Sequence, residues 1–462
     1  MLPLLLIEEL KSIPGFDLDA YLKALTLAPT RGLHLNLCKG EAKEAKAKVE
    51  AELGKDALVA LGYTEEGFLC HTEKTVGTLP LHHAGAYYMQ EPSAMCPVAC
   101  LPLCEGMRVL DLCAAPGGKS TQIANRIGNT GLLVSNEINH GRCSVLAGNI
   151  ERMGIQNAIV TNTDAETLSK YLPSYFDAVV VDAPCSGEGM FRKNPETIDE
   201  WSTENVERCF ERQKEILEIA EKFVCAGGKL VYSTCTYNKF EDEAVVDWFL
   251  ENFNFEIKDV NEEIKKVTIP SNIKNGNKDY ARKFLPYAGE GEGQFVAVFE
   301  NKDDDRKTSL YSKKHYRSVS QIGQSENKLV KEFAASSLFE EFSWRDLYRI
   351  GGSIFYAPQG FNTDLQTALE DLKFLAVGVK IGTIEKGRFE PSHNIFMAMA
   401  DKFKYKIELG EDELKKYMHG EELSTNINAK GYGVVTVGGY AIGGVKIVQN
   451  RLKNLYPRGL RV

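Results

Sequence analysis

The chain has 462 residues, with 55 Lys and Arg against 64 Asp and Glu, so its formal charge is −9; net charge does not mark a nucleic-acid binder, and any polyanion surface must be a local basic patch. A hydrophobic content of 43% is enough to fill real cores, and at roughly 150 residues per domain the length suggests two to four domains. All eleven cysteines fall between Cys38 and Cys235, an odd and lopsided set that argues for reduced thiols and against a disulfide framework.

The opening MLPLLLIEEL is apolar for only a few residues, lacks a basic start and meets Glu8 and Glu9 at once. It fails as a signal peptide or membrane span, so a cytoplasmic protein without a membrane partner is expected. Residues 4 to 30 alternate apolar and charged positions at helical spacing, punctuated by Pro14, Gly15, Pro29 and Gly32 into short helices. RGLHLN at 31 to 36 reads as a strand, and a charged, alanine-rich helix follows. GYTEEGFLC and TVGTLPLHHAG complete a small mixed module, which we bound at residues 1–90.

From Met107 the pattern becomes strand then helix, repeatedly: MRVLDLC, LLVSNEI, NAIVTN, FDAVVVDAP and GKLVYSTC are apolar runs separated by helical stretches. This alternation predicts an α/β fold with a doubly wound, mostly parallel sheet. FNFEIKDV and GQFVAVFE have the alternation of antiparallel edge strands and would finish the sheet near Glu300, bounding this domain at 91–301. NKDDDRKTS then looks like a linker. A helical segment around LVKEFAASSLFEEF and short strands in YRIGGSIFYAP and AVGVKIGTIEKGRF make an α+β module over 302–405. The closing unit, 406–462, contains GYGVVTVGGYAIGGVKIV, glycine-rich and alternating as in a small β-barrel. Its end carries Lys446, Arg451, Lys453, Arg458 and Arg461 with no acid among them and Tyr456 between, suited to phosphate contact or equally to a solvated tail.

In DLCAAPGGKS, Asp111 ends a strand, while Gly117 and Gly118 let the backbone approach a ligand at the positive end of the next helix. Glu137 ends the following strand, where a carboxylate commonly grips ribose hydroxyls. A glycine turn with a downstream acid implies a nucleoside cofactor, and S-adenosylmethionine suits it best. The rival is a phosphate loop, because GKS at 118 to 120 matches its tail, but that pattern fails at its first glycine, where Cys113 sits. Asp164, after the third strand-like run, is placed to meet an adenine or simply to cap a helix. Asp182 follows the fourth.

Two cysteines lie just beyond strand-like runs, Cys185 in DAPCSGEG and Cys235 in YSTCTYN. A thiolate can add to C6 of cytosine and make C5 nucleophilic enough to accept a methyl group. Strand ends of a parallel sheet place both thiols toward one flipped base, and a carboxylate at Asp182 could hold the N3/N4 edge. Physics alone does not say which thiol attacks. Cys96, Cys100 and Cys104 recur every four residues but without a fourth ligand of suitable spacing, which favours packing over a metal.

The chain resembles the Nop/Sun family of RNA cytosine-5 methyltransferases through QEPSAM at 90 to 95, LDLCAAPGGKS at 110 to 120, NEI at 136 to 138, DAPCSGEGMFRK at 182 to 193 and STCTYN at 233 to 238. The resemblance implies Cys235 as the nucleophile, Cys185 as the residue assisting release of 5-methylcytosine, and Asp182 as the group orienting the base, with no metal required. It implies donor contacts from Cys113, Ala114, Ala115, Pro116, Gly117, Gly118, Lys119, Glu137, Arg142, Asp164 and Asp182. RGLHLN, GTLPLHHAGAYYMQEPSAM, FLPYAGEGEGQFVAVFE and NRLKNLYPRGLR resemble the bacterial branch that methylates 16S ribosomal RNA, whose C-terminal part is a PUA-like RNA-binding module. RNA contacts are then expected at Arg192, Lys193, Lys446, Arg451, Lys453 and Arg458, with 16S RNA or the 30S subunit as partner. The extra modules would already supply RNA contacts, which favours a monomer. A transfer RNA methyltransferase with the same chemistry and a non-catalytic RNA-binding assembly factor are the alternatives.

Overall fold

The computed structural model describes residues 2–287, 289, 291–303, 319–343 and 346–461, so the expected linker from residue 304 onward lies outside the described residues. Asp17 caps the second of two short N-terminal helices, Leu4–Lys11 and Leu18–Leu25, by accepting from the Ala20 amide. These helices bury Leu6, Leu10 and Tyr21 against Phe191, Trp201 and Tyr237 of the following domain. The rest of the N-terminal segment is a four-stranded antiparallel sheet in the order Leu58–Ala60, Gly67–Cys70, Gly32–Leu35, Tyr87–Met89. The alanine-rich helix Ala42–Leu53 buries Ala45, Val49 and Leu53, a four-residue spacing that leaves its charged positions outside.

The central sheet carries β1 (Arg108–Asp111), α1 (Gly118–Ile127), β2 (Leu132–Asn136), α2 (His140–Met153), β3 (Ala158–Thr161), β4 (Phe176–Asp182), α3 (Thr203–Ala220) and β5 (Val224–Thr234). Strands β6 (Phe255–Lys258), β7 (Ile269–Pro270), β8 (Arg282–Phe284), β9 (Gln294–Asn301) and β10 (Phe374–Val377) complete it. Its order is β7-β8-β9-β5-β4-β1-β2-β3-β10, with β6 paired to β9. Strands β1 to β5 are mutually parallel where they pair, and β9 runs antiparallel to β5. Val109, Leu110, Val134, Ile159, Val179, Val180 and Val231 are fully buried, which is why these strands read as continuous apolar runs without alternation. Chain order reverses at β1, flanked by β2 on one side and β4 on the other, and a ligand crevice opens there beyond the carboxyl ends of the strands.

Two expectations are corrected. The sheet does not finish near Glu300: β10, from the C-terminal third, pairs antiparallel with β3 and covers an edge that would otherwise leave a row of amide and carbonyl groups unpaired. Nor is GQFVAVFE an edge, since β8 and β6 both pair with β9. In sequence these strands are separated from their partners, so period alone could not assign neighbours.

Beyond β9, a five-stranded antiparallel sheet runs Val319–Gln321, Leu347–Ile350, Ser353–Tyr356, Val379–Glu385, Arg388–Pro391, backed by the helix Gln324–Ser337. The last unit has five strands centred on the hairpin Lys430–Val437 and Tyr440–Val448, closed by the turn Gly438–Gly439. Its Val435, Tyr440, Ile442, Ile447, Leu452 and Tyr456 share one hydrophobic core with Leu33, Leu35, Val49 and Tyr87 of the N-terminal sheet, so the two ends of the chain clasp each other. Among the described residues no helix is long and apolar enough to cross a membrane.

Candidate active site

Parallel pairing of β4 and β5 sets Asp182 opposite Ser233. The loops that follow therefore carry Cys185 and Cys235 to the same place, and their Sγ atoms lie 3.2 Å apart. Both side chains are half-buried and neither is in a disulfide. The contact with the Cys235 sulfur, followed by burial, holds the Cys185 thiol well above the ordinary thiol range.

Asp182 is fixed at both oxygens. Oδ2 accepts from Lys119 Nζ at 2.7 Å, and Oδ1 accepts from Ser233 Oγ at 2.7 Å and Gln294 Nε2 at 3.1 Å. Burial lowers the Lys119 pKa, but the Asp182 carboxylate outweighs it and the net shift is upward. Lys119 therefore stays charged and points a cation at the same crevice as the two thiols.

A second layer stitches the two cysteine loops together. Glu188 accepts from Trp201 Nε1 at 3.0 Å, the Tyr237 amide at 3.0 Å and Asn238 Nδ2 at 3.1 Å. Glu241 accepts from the Ser186 amide at 3.0 Å, Gln213 Nε2 at 2.8 Å and Asn238 Nδ2 at 2.6 Å. The Gly189 amide donates to the Cys235 carbonyl at 2.9 Å, and a Cβ at Gly189 would sit 2.7 Å from the Gly293 carbonyl oxygen and 3.0 Å from that of Cys235, an approach only glycine permits. Glu188, Asn238, Glu241 and Gln213 were not singled out from sequence, although the first two sit inside the quoted motifs; buried carboxylates satisfied by distant amides leave no local periodic signal.

The donor side forms around β1 and β2. Gly117, at φ +118°, turns the chain into α1, and the loop before it is held by Arg142 Nη2 donating to the Ala115 carbonyl at 2.8 Å and Asn149 Nδ2 donating to the Pro116 carbonyl at 2.9 Å. Arg142 also lies 3.4 Å from Glu137, which is nearly buried and accepts from the Asn139 amide. Cys113, Ala114, Ala115, Pro116, Gly117, Gly118, Lys119, Glu137 and Arg142 thus line one rim. Burial pushes the Cys113 thiol up, so it is a neutral wall of this rim. Asp111, fully buried, is raised to about 7, mainly by desolvation; its Oδ2 accepts from Ser120 Oγ, while its Oδ1 meets no partner among the described residues. Asp164 caps the helix Ala165–Tyr171 through the Thr167 amide, leaving one oxygen free of that task. Ile138, 70% exposed beside Glu137, is an apolar side chain facing outward at this rim, and sequence reading passed over it.

Arg192 is a correction. Expected at an RNA surface, its side chain is only 6% exposed and forks onto Glu292 at 2.7 and 2.9 Å, with further bonds to Thr30 and Gly291. A guanidinium whose donors are spent inside cannot meet phosphate. Lys193, next to it, is exposed. The basic C-terminus is not a loose tail either: Lys446 lies in the strand Tyr440–Val448 and sits 5.3 Å from the Tyr432 ring centroid, while Arg451, Lys453 and Arg458 are exposed around buried Leu452 and Tyr456. Cys96 starts the short helix Cys96–Ala99 and is buried, whereas Cys104 lies beyond it and is exposed, so the three cysteines make no common stripe. No group of three or more potential metal ligands is gathered among the described residues.

Residues 98–300 match the family model of the 16S rRNA methyltransferase RsmB/F, and residues 2–92, 332–399 and 404–462 match the RsmF N-terminal, first C-terminal and PUA domain models. The ribosomal RNA small subunit methyltransferase F of an Escherichia coli strain is 31% identical over 428 residues, spanning 87% of this chain and 85% of that protein. The chain belongs to the ribosomal RNA small subunit methyltransferase F family. The same-named protein of Shewanella piezotolerans is 30% identical over 86% of this chain and 84% of its own length. Among solved structures, a methyltransferase homolog protein from Pyrococcus horikoshii superposes with a TM-score of 0.56 at 26% identity, covering 64% of this chain and 94% of that one. NSun6 from the same organism, solved with SFG, gives a TM-score of 0.56 at 20% identity, a likeness of fold. The fold is accordingly that of the Rossmann-like, S-adenosylmethionine-dependent methyltransferases.

Proposed function

We propose that this chain methylates C5 of a cytosine in 16S ribosomal RNA through a covalent adduct between Cys235 and C6, working in the cytoplasm as a monomer. The observation that carries the reading is the meeting of Cys185 and Cys235 at 3.2 Å beside the doubly anchored Asp182. Asp182 presents an acceptor to the N3/N4 edge of a flipped base, and Lys119 supplies positive charge as electrons move into the ring. The Cys235 thiolate attacks C6, giving C5 the nucleophilic character needed to take a methyl group. C5 takes the methyl as its bond to the sulfonium breaks and S-adenosylhomocysteine leaves; the C5 proton is then lost to solvent, and the electron pair of that C–H bond re-forms the C5–C6 double bond as the Cys235–C6 bond breaks. Cys185, held protonated, donates toward the departing sulfur and so favours elimination.

The methyl comes from S-adenosylmethionine, which supplies an electrophilic carbon on a sulfonium. The rim fits that donor: the 113–119 loop offers backbone at close range, Glu137 is an acceptor for ribose hydroxyls, Asp164 retains an oxygen for an adenine edge, and Ile138 can cover a base face. The unpartnered buried oxygen of Asp111 is an acceptor suited to a cationic ligand. Lys193, Lys446, Arg451, Lys453 and Arg458 are the side chains we assign to RNA phosphates.

Labelled methyl transfer to 30S subunits, free 16S RNA and bulk transfer RNA, with bisulfite mapping, tests the reading. Label at a cytosine of 16S RNA is expected; label only in transfer RNA would move the substrate and keep the chemistry. Cys235→Ala should abolish transfer, and Cys185→Ala should accumulate a covalent RNA adduct, seen as a slow band on a denaturing gel. An adduct with Cys235→Ala instead would reverse the two roles. Donor binding without transfer to any RNA would favour a non-catalytic assembly factor.

A further inference from the structure

The N-terminal sheet carries an open groove of about 950 Å³ that the mechanism does not use. Its walls are the loop of Thr30 and Arg31, the turn after the alanine-rich helix at Lys55, and the segment His71 to Lys74 that follows the strand Gly67–Cys70. Arg31, Lys55 and Lys74 face it, against one acid, Glu73. Among the described residues none of these three cations makes a close ion pair with a carboxylate: Arg31 reaches the Thr72 carbonyl and Lys74 the Glu52 carbonyl, with the Glu52 carboxylate acting on Lys74 only at longer range. Lys46 and Lys48 of the same module, by contrast, are paired with Glu50 at 2.7 Å and Glu44 at 2.8 Å. In a chain of net charge −9, three cations against one acid on one groove make a local basic patch suited to an anion.

The groove wall is also tied to the cysteine loop by hydrogen bonds. Thr30 in its wall accepts from Arg192 at 2.9 Å and donates its amide to Glu292 at 2.7 Å. Arg192 ends the loop that begins at Cys185, and Gly293, next to Glu292, packs on Gly189 of that loop.

We propose that this groove is a track for the phosphodiester backbone of single-stranded RNA flanking the target cytosine, with Arg31, Lys55 and Lys74 as its phosphate contacts. The inference rests on the RNA methyltransferase reading above. An open, shallow trough lined by cations suits a polymer that passes through, where a small anion would call for a closed pocket.

The test is binding of a single-stranded 16S RNA fragment to the full chain across a salt series, for wild type, Arg31→Gln/Lys55→Gln/Lys74→Gln, and Lys46→Gln/Lys48→Gln as a control with paired lysines. Each lost phosphate contact lowers the slope of log K against log salt by about 0.7, so the triple variant should lose about 2 in slope while the control loses nothing. Its KM for RNA should rise about tenfold with kcat at saturating RNA and affinity for S-adenosylmethionine unchanged, as expected for contacts remote from the reacting atoms. An unchanged slope, or an equal loss in the control, overturns the proposal. If the triple variant melts early, the three single Gln variants are measured instead, each expected to lose about 0.7. Should wild type bind RNA yet methylate none, the function reading fails while the slope comparison still decides the groove.

Discussion

Removing Arg192 should be felt as a loss of stability and not as a loss of RNA. The pair it makes with Glu292 has side chains 6% and 2% exposed, and the same guanidinium reaches Thr30 Oγ1 at 2.9 Å and the Gly291 carbonyl at 3.1 Å. Glu292 in turn holds the Thr30 amide at 2.7 Å, so one buried charge pair ties the cysteine loop, the segment before β9 and the N-terminal chain. Truncating one partner strands the other charge in a desolvated site, which costs about 3–5 kcal/mol, more than the pair itself contributes against an apolar replacement. In a domain of this size a kilocalorie moves the melting temperature by about 2–4 °C, giving a drop of roughly 10 °C for Arg192→Ala. Arg192→Lys should recover little, because a single ammonium cannot reproduce the fork. Arg192→Met with Glu292→Leu should recover part of the loss by removing both charges. Thermal melts and urea midpoints report this, alongside the RNA salt slope. A variant that melts within about 1 °C of wild type and loses salt slope instead would refute the argument and return Arg192 to the RNA surface.

Asp111→Asn should flatten the pH dependence of stability. Burial raises the folded pKa to about 7 from the ordinary carboxylate value of 3.8, so the ionised form is disfavoured in the fold and wild type loses stability as pH climbs from about 4 through about 7. The whole window corresponds to about 4 kcal/mol, of which about 3 kcal/mol lies between urea midpoints read at pH 5 and pH 8, and equal slopes in the two proteins would sink the assignment. Asn238→Ala removes the amide that bridges Glu188 and Glu241 and frees the two cysteine loops, so kcat should fall about a hundredfold with S-adenosylmethionine affinity intact by calorimetry. Charge reversal at Lys453 and Arg458, both exposed, should lower the RNA salt slope without moving the melt, whereas deleting residues 446–462 should unfold the last unit by taking Ile447, Leu452 and Tyr456 from its core.

What the sequence showed of this molecule follows from how local each signal is. The β1 to β5 runs were legible because strands buried on both faces must be apolar throughout, and Val179, Val180 and Val181 leave no other reading. The thiols were legible because Pro184–Cys185 and Thr234–Cys235 follow such runs, and β4 pairs with β5. β10 was not, since Phe374–Val377 lies over two hundred residues from the β3 strand it covers, and nothing in four residues names a partner. Arg192 misled for a related reason: an arginine beside a lysine after a catalytic loop looks like a phosphate contact unless Glu292, a hundred residues on, is known to face it. The Glu188–Asn238–Glu241 lattice was hidden in the same way, its carboxylates indistinguishable in sequence from solvated ones.

The clasp between the chain ends explains how a module with its own sheet can act on the donor rim. His34, in the strand Gly32–Leu35, is completely buried, hydrogen-bonded to Gln90 at 2.9 Å and to Thr121 of α1 at 3.1 Å, and stacked on Tyr88. Burial lowers its pKa to about 4, so it serves as a neutral bridge at physiological pH. Gln90 in turn crowds the Cα of Gly118, where a Cβ would come within 3.1 Å of its side chain, so the first turn of α1 is pinned from the N-terminal side. Because that same sheet shares a core with the C-terminal unit, one continuous packed frame reaches the glycine turn through His34 and the cysteine loop through Thr30 and Arg192. The glycine turn and the cysteine loop are thus both braced by the N-terminal module, the part of the chain to which the proposal gives the RNA.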